Sequence, residues 1–470
     1  MLNKIEENHI IKLIKPFFKD IKAYIVGGFV RDLFLDKTSP DIDLLVCNID
    51  VEKFSKEIAE KLNAHFIELD PINKIYRVVL EDKIHYLDIT TPIENNFEKD
   101  IKRRDLTINA IAYDLNNGEI IDLVNGVQDI KKKVIKGISE QNFIDDPLRL
   151  LRIFRFFAKT GFEIDNSLIE ITKKYAKRIN EPAKERITVE LLKMFEGKYT
   201  DLALLKLDEV GLLCELFPIY NEVKKVPKNT HHHLDLFHHL VESVTQLQII
   251  YENANEEVKN YLNKEQYGAV KQLAFLKLAG FLHDVGKPSC WTIDEDTGRH
   301  RFIQHDLLGS ELCVPILQEF KFSKKQIEYV KTLIKYHMYA SAMLSSNDVT
   351  DKAYMRFYRK MEGFVIDVIL IGMADRLSAR GELVTEKIIE ENISGLTKLL
   401  NDYLEQRKNI KPLPKLIDGN EIMHLLGLKQ GKELGIIISA LKEEQISGNI
   451  NTKEEAIEFI NSYKKQKESE

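Results

Sequence analysis

The chain has 470 residues, more than one compact core normally holds, and this length predicts three or four domains. Apolar residues make up 44% and charged residues 30%, which is typical of a globular protein and excludes a mostly disordered one. No run approaches the ~20 consecutive apolar residues of a membrane span, and the N-terminus lacks the apolar core of a signal peptide. The four cysteines are widely spaced, without a C-x-x-C pair, which argues against a thiolate zinc site and predicts a cytoplasmic protein.

The formal net charge of −6 argues against a general coat for nucleic acid. Residues 101–200 nevertheless hold more basic than acidic side chains, while the rest of the chain is acidic. A weakly basic segment in an acidic protein favours a localised contact with phosphate groups.

The first ~125 residues alternate between strand and helix patterns, and after about Asp122 the pattern is helical to the end. We therefore predict an α/β head over 1–125, an all-helical neck over 126–225, a helical domain over 226–395 and a helical tail over 396–470. The expected breaks lie near 227–229 and 411–414. The predicted strands are 23–26, 41–46, 65–69, 75–80 and 85–90, and the predicted head helices are 29–35 and 51–62.

The head contains two glycines, Gly27 and Gly28, between a predicted strand and a predicted helix, and the next strand begins with Asp41 and Asp43. Adjacent glycines let backbone N–H groups approach a triphosphate closely. Residues i and i+2 of a strand share one face, so the two carboxylates project together, as two catalytic divalent ions require. Asp88 is the candidate for a third carboxylate on that face.

Each part of this pattern has an ordinary explanation. A Gly-Gly pair alone is most often a turn, and a D-x-D sequence alone is usually a solvated strand face or part of a calcium loop. Their combination in this order within a short stretch favours a nucleotidyl-transfer site.

These motifs resemble the class II tRNA nucleotidyltransferase and bacterial poly(A) polymerase family, which has a polymerase-beta-like head. Segment 103–110 resembles the family's second motif, so the resemblance implies that Arg104, Asp105 and Asn109 contact the triphosphate and ribose. Arg31 belongs to the same predicted nucleotide-binding set. Segments 121–126, 145–149 and 185–191 resemble the head–neck hinge, the base-selecting motif and the motif that supports the base-selecting helix.

The base-selecting motif also has a physical interpretation. Pro147 is favoured at the first position of a helix, which places Asp146 at the N-cap and Arg149 one turn along. Asp accepts from the exocyclic amine of cytosine or adenine, and Arg donates to the adjacent ring nitrogen. The alternative is that Asp146 only caps the helix. The neighbouring Arg152 and Arg155 are either packing or phosphate-binding groups.

A second set of potential ligands contains imidazole and carboxylate groups but no thiolate, which suits a divalent transition metal holding a hydrolytic water. The set resembles the HD phosphohydrolase superfamily, which implies an HD-type helical bundle and phosphatase or phosphodiesterase chemistry. A purely structural metal site is the alternative. The nearby histidines 231–233 are predicted to be an ordinary polar loop, with a labile surface metal site as the alternative. The predicted ligands are His239, His283, Asp284, His305, His337 and Asp375.

The resemblance implies an enzyme that uses CTP and ATP with Mg²⁺ to extend the 3′ end of tRNA. The alternatives are a poly(A) polymerase acting on general RNA, and an HD phosphohydrolase whose head only binds nucleotide. The glycines of the tail (419, 427, 431 and 435) serve either tRNA contact or tight helix packing.

The length of one segment bears on which nucleotides are added. Only 14 residues lie between Asp88 and Arg103, whereas CCA-adding members of the family carry a longer flexible segment there. Repositioning the base-reading side chains from CTP to ATP requires a mobile element. The short segment therefore favours an enzyme that stops after two cytidines, although poly(A) polymerases and A-adding enzymes can also have short segments.

Overall fold

The computed structural model describes residues 2–230, 232–345, 349–408, 410 and 413–467. The chain forms two compact units. The first ends at Tyr220 and also includes Glu319–Lys321, and the second holds the remaining residues from Asn221 onward. None of the helices in the described ranges combines the length and apolar character that a membrane span needs.

The head is built on a seven-stranded sheet with the order β3-β4-β5-β2-β1-β6-β7. Only β2 and β5 pair in parallel; the other neighbours are antiparallel. The five predicted strands are confirmed, whereas β6 and β7 were not predicted. The strands are β1 (Ala23–Val26), β2 (Asp41–Val46), β3 (His65–Asp70), β4 (Ile75–Val79), β5 (Tyr86–Thr90), β6 (Ile111–Asp114) and β7 (Ile120–Asp122).

Both predicted head helices are confirmed within one residue at each end. In α4, Val51 and Ile58 are buried while Phe54 and Leu62 are half-buried, as the helical spacing of these apolar residues predicts. The Asp50 carboxylate caps this helix by accepting from the Lys53 N–H at 3.2 Å. The helices are α1 (Leu2–Glu7), α2 (His9–Ile14), α3 (Gly28–Phe34), α4 (Val51–Lys61), α5 (Phe97–Lys102) and α6 (Gly126–Lys132).

The neck is helical as predicted, but the expectation that strands stop after Asp122 is wrong. A two-stranded parallel sheet joins β8 (Val134–Ile135) to β9 (Glu163–Ile164). Two-residue strands carry no measurable alternation, so periodicity could not reveal them. The helices are α7 (Glu140–Asp145), α8 (Leu148–Thr160), α9 (Asn166–Tyr175), α10 (Lys184–Phe195), α11 (Thr200–Glu209), α12 (Leu212–Leu216) and α13 (Tyr220–Val223).

The second unit is mostly helical, with one unpredicted antiparallel hairpin, β10 (Trp291–Ile293) and β11 (His300–Phe302). Its turn is closed by Asp294, which accepts from the Thr297 N–H at 2.9 Å. The helices are α14 (Leu236–Asn253), α15 (Glu256–Leu262), α16 (Gln272–Leu282), α17 (Lys287–Cys290), α18 (His305–Glu319), α19 (Lys324–Tyr336), α20 (Tyr339–Leu344), α21 (Asp351–Lys360), α22 (Val365–Ser378) and α23 (Glu386–Gln406).

The tail has its own apolar core, formed by α24 (Gly419–Leu426), α25 (Lys432–Ser447) and α26 (Lys453–Lys467). The predicted domain boundary at 395 falls inside the continuous helix α23. The first half of the predicted break at 411–414 lies outside the described residues. Gly427 adopts φ 67° and caps α24, so a left-handed turn accounts for this glycine.

Candidate active sites

The glycine turn and the first carboxylates of the head lie in direct contact. Gly27 has φ 74° and ψ −134° and precedes α3, which begins at Gly28. A Cβ atom at Gly27 would lie 2.9 Å from Oδ2 of Asp43 and 3.3 Å from NH1 of Arg104. Both the backbone conformation and the space therefore require glycine at this position.

Three carboxylates meet where β2 and β5 run in parallel. Asp41 and Asp43 project from one face of β2, and Asp88 on β5 is the register partner of Asp43. Burial raises the pKa of Asp43 to about 6, with Asp88 and Asp41 adding to the rise and Arg104 opposing it. A carboxylate destabilised by two carboxylate neighbours is a group that divalent cations relieve, so this set fits Mg²⁺.

The candidate third carboxylate has a protein partner that the sequence analysis did not predict. Arg77 on β4 donates from Nε and NH2 to the two oxygens of Asp88, each at 2.7 Å. This bidentate ion pair fixes Asp88 next to Asp43 and neutralises part of its charge.

A cavity of about 370 Å³ opens between the glycine turn and the neck helix α8. Nine of the eleven predicted head residues line it, and Asp41 and Asp88 do not. The lining comprises Gly27, Gly28, Arg31, Asp43, Asp100, Arg103, Arg104, Asp105, Asn109, Asp146, Arg149, Arg152, Arg155 and Phe156. The clustering of arginines suits a polyanionic ligand such as a triphosphate.

A chain of hydrogen bonds connects the glycine helix to the neck. Arg31 donates to Oδ1 of Asn109 at 2.6 Å, Asn109 donates to Asp105 at 3.2 Å, and Arg152 donates to Asp105 at 2.6 Å. Burial alone would raise the pKa of Asp105, but Arg152 and the hydrogen bond from Asn109 outweigh it and lower that pKa. Arg152 is therefore a positioning group of this network.

Two buried acids hold the arginines in place. Asp100 was not predicted, whereas Glu190 belongs to the segment 185–191 that was expected to support the base-selecting helix. Asp100 accepts from Arg103 at 2.9 Å and from Arg104 at 3.3 Å. Glu190 on α10 forms ion pairs with Arg155 at 2.9 Å and Arg152 at 3.5 Å. The spacing of Asp100 three and four residues before two arginines was a usable helical signal.

Asp146 forms the capping contact and also lines the cavity. The backbone of Pro147 is helical, and the Asp146 carboxylate accepts from the Leu148 N–H at 3.3 Å, as a cap does. The same carboxylate forms an ion pair with Arg186 at 2.8 Å and lines the cavity. Arg149 donates to the carbonyl oxygens of Arg103 and Asn142, at 2.7 and 3.0 Å.

The second unit brings all six predicted HD ligands together. The Nε2 atoms of His239 and His283 lie 3.3 Å apart. His239 Nε2 is 3.3 Å from Oδ2 of Asp284 and 3.3 Å from Oδ1 of Asp375. The Nε2 atoms of the remaining two histidines lie 3.1 Å (His305) and 3.8 Å (His337) from Oδ1 of Asp284.

The imidazoles are oriented by backbone carbonyls. The Nδ1 atoms of His283, His305 and His337 each lie within 2.8 Å of a carbonyl oxygen, so an N–H there leaves the Nε2 lone pair for a metal. Burial disfavours the His283 cation, but Asp284 and Asp375 outweigh it and raise the pKa of His283 to about 10. The centre thus attracts positive charge, and its ligand set fits a divalent metal.

One potential ligand was missed. The expectation that residues 231–233 are an ordinary polar loop is wrong for His232, which lies with His239, Asp284 and Asp375 in a group able to hold an ion. Its ring meets that of His239 edge-on, with centroids 4.7 Å apart. His231 lies outside the described residues.

Four family models match parts of the chain. Family models for the poly A polymerase head domain and for the probable RNA- and SrmB-binding site of polymerase A match residues 23–136 and 161–224. An HD domain matches 236–380, and a putative second domain of tRNA nucleotidyltransferase matches 309–460. The CC-adding tRNA nucleotidyltransferase of Thermus thermophilus is 30% identical over 95% of this chain and 94% of its own length.

This chain belongs to the tRNA nucleotidyltransferase family. Another relative is the A-adding tRNA nucleotidyltransferase of Deinococcus radiodurans, which is also 30% identical, over 93% of this chain and 94% of its own. The CCA-adding enzyme of Thermotoga maritima, solved in complex with tRNA, has the same fold. The TM-score is 0.56 at 22% identity, and the match covers 98% of this nucleotidyltransferase and 97% of that chain. Relatives of different nucleotide specificity are thus equally similar.

Proposed function

We propose that this nucleotidyltransferase transfers CMP from CTP to the 3′ end of tRNA, releases pyrophosphate and stops after two cytidines. The reaction joins the terminal 3′-oxygen of the RNA to the α-phosphorus of the triphosphate. Asp41 and Asp43, assisted by Asp88, would hold Mg²⁺, which when bound stabilises the charge on the attacking and leaving oxygens. The crowded carboxylates around Asp43 support this assignment.

The other cavity residues bind and orient the triphosphate. Gly27 allows backbone N–H groups at the start of α3 to approach the phosphates. Arg104 lies beside Asp43 and is restrained by Asp100, so its guanidinium is available to phosphate oxygens in a fixed position. We assign Arg31, Asp105 and Asn109, which are hydrogen-bonded to one another, to the same nucleotide site.

Asp146 and Arg149 would read the base edge. An amino group of the base donates to Asp146, and the neighbouring ring nitrogen accepts from Arg149, so uracil and guanine are rejected. Arg149 is held by two carbonyl oxygens and Asp146 by Arg186. These contacts keep the two side chains in one arrangement.

The restriction to cytidine depends on one observation, the short connection after β5. Strand β5 ends at Thr90 and α5 begins at Phe97, and the intervening residues include a single 3₁₀ turn. Within that turn Asn95 accepts from the Asn48 N–H at 3.0 Å and donates to the Asn48 side chain. A segment this short and this tethered lacks the reach to reposition the neck when the incoming base changes from cytosine to adenine.

Single-nucleotide assays test the transfer activity. Purified protein is incubated with Mg²⁺, one triphosphate at a time, and either a tRNA transcript lacking its CCA end or an unstructured RNA of equal length. We expect CMP to enter the tRNA only. Incorporation of AMP into both RNAs would instead identify a poly(A) polymerase.

A second candidate function, metal-dependent hydrolysis of a phosphoester, is favoured by the convergence of six ligands in the second unit. Elemental analysis of the wild type and of the His283→Ala/Asp284→Ala variant tests metal binding, with the exposed neighbour His238→Ala as control. We expect loss of a transition metal in the double variant alone. Equal metal content in all three proteins would contradict the ligand assignment.

A further inference from the structure

A cavity of about 300 Å³ adjoins the HD ligands. Its walls include the ligands His305, His337 and Asp375, and also Lys287, His300 and Arg376, which have no assigned role. The volume is at the small end of ligand pockets and admits a compact phosphorylated molecule. The non-ligand residues therefore bear on what the cavity binds.

Arg376 stands out by the lack of a charge partner in the part of the chain that the structure describes. Among the residues that the structure describes, no carboxylate lies within 4.0 Å of this guanidinium, and its buried Nε atom donates no hydrogen bond. By contrast, two arginines of the head cavity form ion pairs: Arg152 with Asp105 and Arg155 with Glu190. A half-buried unpaired guanidinium beside a cavity is stabilised when an anion enters.

The rest of the wall adds to the preference for an anion. Lys287 is 6% exposed, and its Nζ atom lies 2.5 Å from Asp284, the central ligand of the HD set. His300 on β11 has a buried Nδ1 atom without a hydrogen-bond partner. The cavity thus presents two cations and an imidazole beside a centre that fits a metal.

We propose that Arg376 binds the phosphate group of a phosphoester at the HD centre, with Lys287 as the second cation. Two N–H groups of the guanidinium donate to two phosphate oxygens, while the adjacent residue, Asp375, remains free to hold the metal. The proposal rests on the assignment of the HD centre as a metal site. Arg376 also lies in the last turn of α22, where a purely structural role would be to offset the helix dipole.

Trp291 gives a readout confined to this cavity. It is the single tryptophan of the chain, and its ring lies 5.5 Å from that of His300. Inorganic phosphate is titrated into the full-length protein, with and without added Mn²⁺, while tryptophan fluorescence is recorded. The nucleotide cavity of the head contains no tryptophan and is silent in this assay.

We expect saturable phosphate binding by the wild type and an affinity at least about tenfold lower for Arg376→Gln. Arg380→Gln is the matched control, because this arginine is exposed and lies two residues beyond the end of the same helix. Thermal unfolding monitors the fold, and Arg376→Lys, which keeps the charge but not the fork, should bind with intermediate affinity.

Two results overturn the proposal: no saturable change in the wild type, or equal phosphate affinity in Arg376→Gln and Arg380→Gln. A change in unfolding temperature without a change in phosphate affinity also overturns it, in favour of the structural role. Arg376-dependent phosphate binding by protein that takes up no metal would support the role of Arg376 in binding phosphate. It would, however, contradict the assignment of the HD centre as a metal site.

Discussion

The head cavity and the HD centre are both rich in charge, but they balance it differently. Around the head cavity most carboxylates are paired with arginines, as Asp105 is with Arg152 and Glu190 with Arg155. At the HD centre, Asp284 and Asp375 face a ring of histidines and one lysine. In the head, ion pairs therefore hold the binding side chains in position for a charged nucleotide. The HD centre, by contrast, is a set of side chains suited to binding a metal ion.

The two centres also differ in the structural elements that supply their functional side chains. In the head, Arg31 of α3 and Arg152 of the neck helix α8 are joined by hydrogen bonds through Asn109 and Asp105. In the second unit, four of the ligands lie at or just beyond the ends of helices α16, α18, α19 and α22. Loss of one group should disturb the head network widely but the HD centre only locally.

The largest expected effect is at the head carboxylates. The double variant Asp41→Ala/Asp43→Ala should reduce CMP incorporation below roughly a tenth of wild type, because it removes the groups that would hold the divalent ions. Incorporation into tRNA is measured at saturating CTP and Mg²⁺. Glu68→Ala, an exposed acid on β3 of the same sheet, is the control.

In the double variant the metal content of the HD centre should be unchanged, since the two sets of ligands are independent. Retention of more than a tenth of the activity would place the catalytic carboxylates elsewhere. Loss of both the HD metal and the activity would show that the two centres are not independent.

A smaller effect is expected at the base-reading pair. Asp146→Ala or Arg149→Ala should relax the preference for CTP by about 5- to 150-fold, corresponding to about 1–3 kcal/mol for a lost bidentate contact. Asp146→Ser separates the two roles of this residue, because a serine hydroxyl retains the helix cap but not the carboxylate.

Competition among the four triphosphates measures the preference. The serine variant should discriminate as poorly as the alanine variant while recovering its stability. Full discrimination among the triphosphates by the serine variant would show that Asp146 only caps the helix. Asp145→Ala, which alters an acid outside the cavity lining, should leave base choice unchanged.

The last effect concerns stability in the second unit and not the transfer reaction. Asp367 is fully buried and accepts from Tyr261, from Tyr329 at 2.7 Å and from Gln272 at 2.8 Å. Burial raises the pKa of Asp367 from 3.8 to about 6, despite these hydrogen bonds. The folded state therefore binds this proton more tightly than the unfolded state, and the resulting stability is lost as pH rises from about 4 to about 6.

We expect protonation of Asp367 to contribute on the order of 2–3 kcal/mol to the free energy of unfolding. This contribution is measured by comparing denaturant unfolding of wild type and Asp367→Asn across this pH range. The difference between the two proteins should change with pH in this window and be constant above it. A difference independent of pH would show that Asp367 is ionised at all these pH values.

Sequence patterns predicted the parts of both centres that lie close together in the chain or follow a known motif. The glycine turn before Asp43 and the Arg104–Asn109 segment are examples, as is the His283–Asp284 pair. Contacts set by register or by loops were not predictable. The Arg77–Asp88 pair needs the alignment of β4 with β5, and His232 reaches the HD centre from an irregular segment.

The hairpin that carries Trp291 and His300 was also missed, because three-residue strands without apolar alternation give no periodic signal. Its turn, closed by Asp294 and containing Gly298 at φ 66°, was the one local indication. Boundaries were least predictable within long helices, as α23 shows.

The central claim, that this head adds cytidines and cannot proceed to adenosine, is tested most directly by one incubation. A tRNA transcript lacking its CCA end is supplied with CTP, ATP, Mg²⁺ and the purified wild-type protein, and the products are sequenced. We predict 3′ ends that stop at CC, because the tethered connection from β5 to α5 holds the base-reading pair in one arrangement. Efficient formation of complete CCA ends would contradict this account.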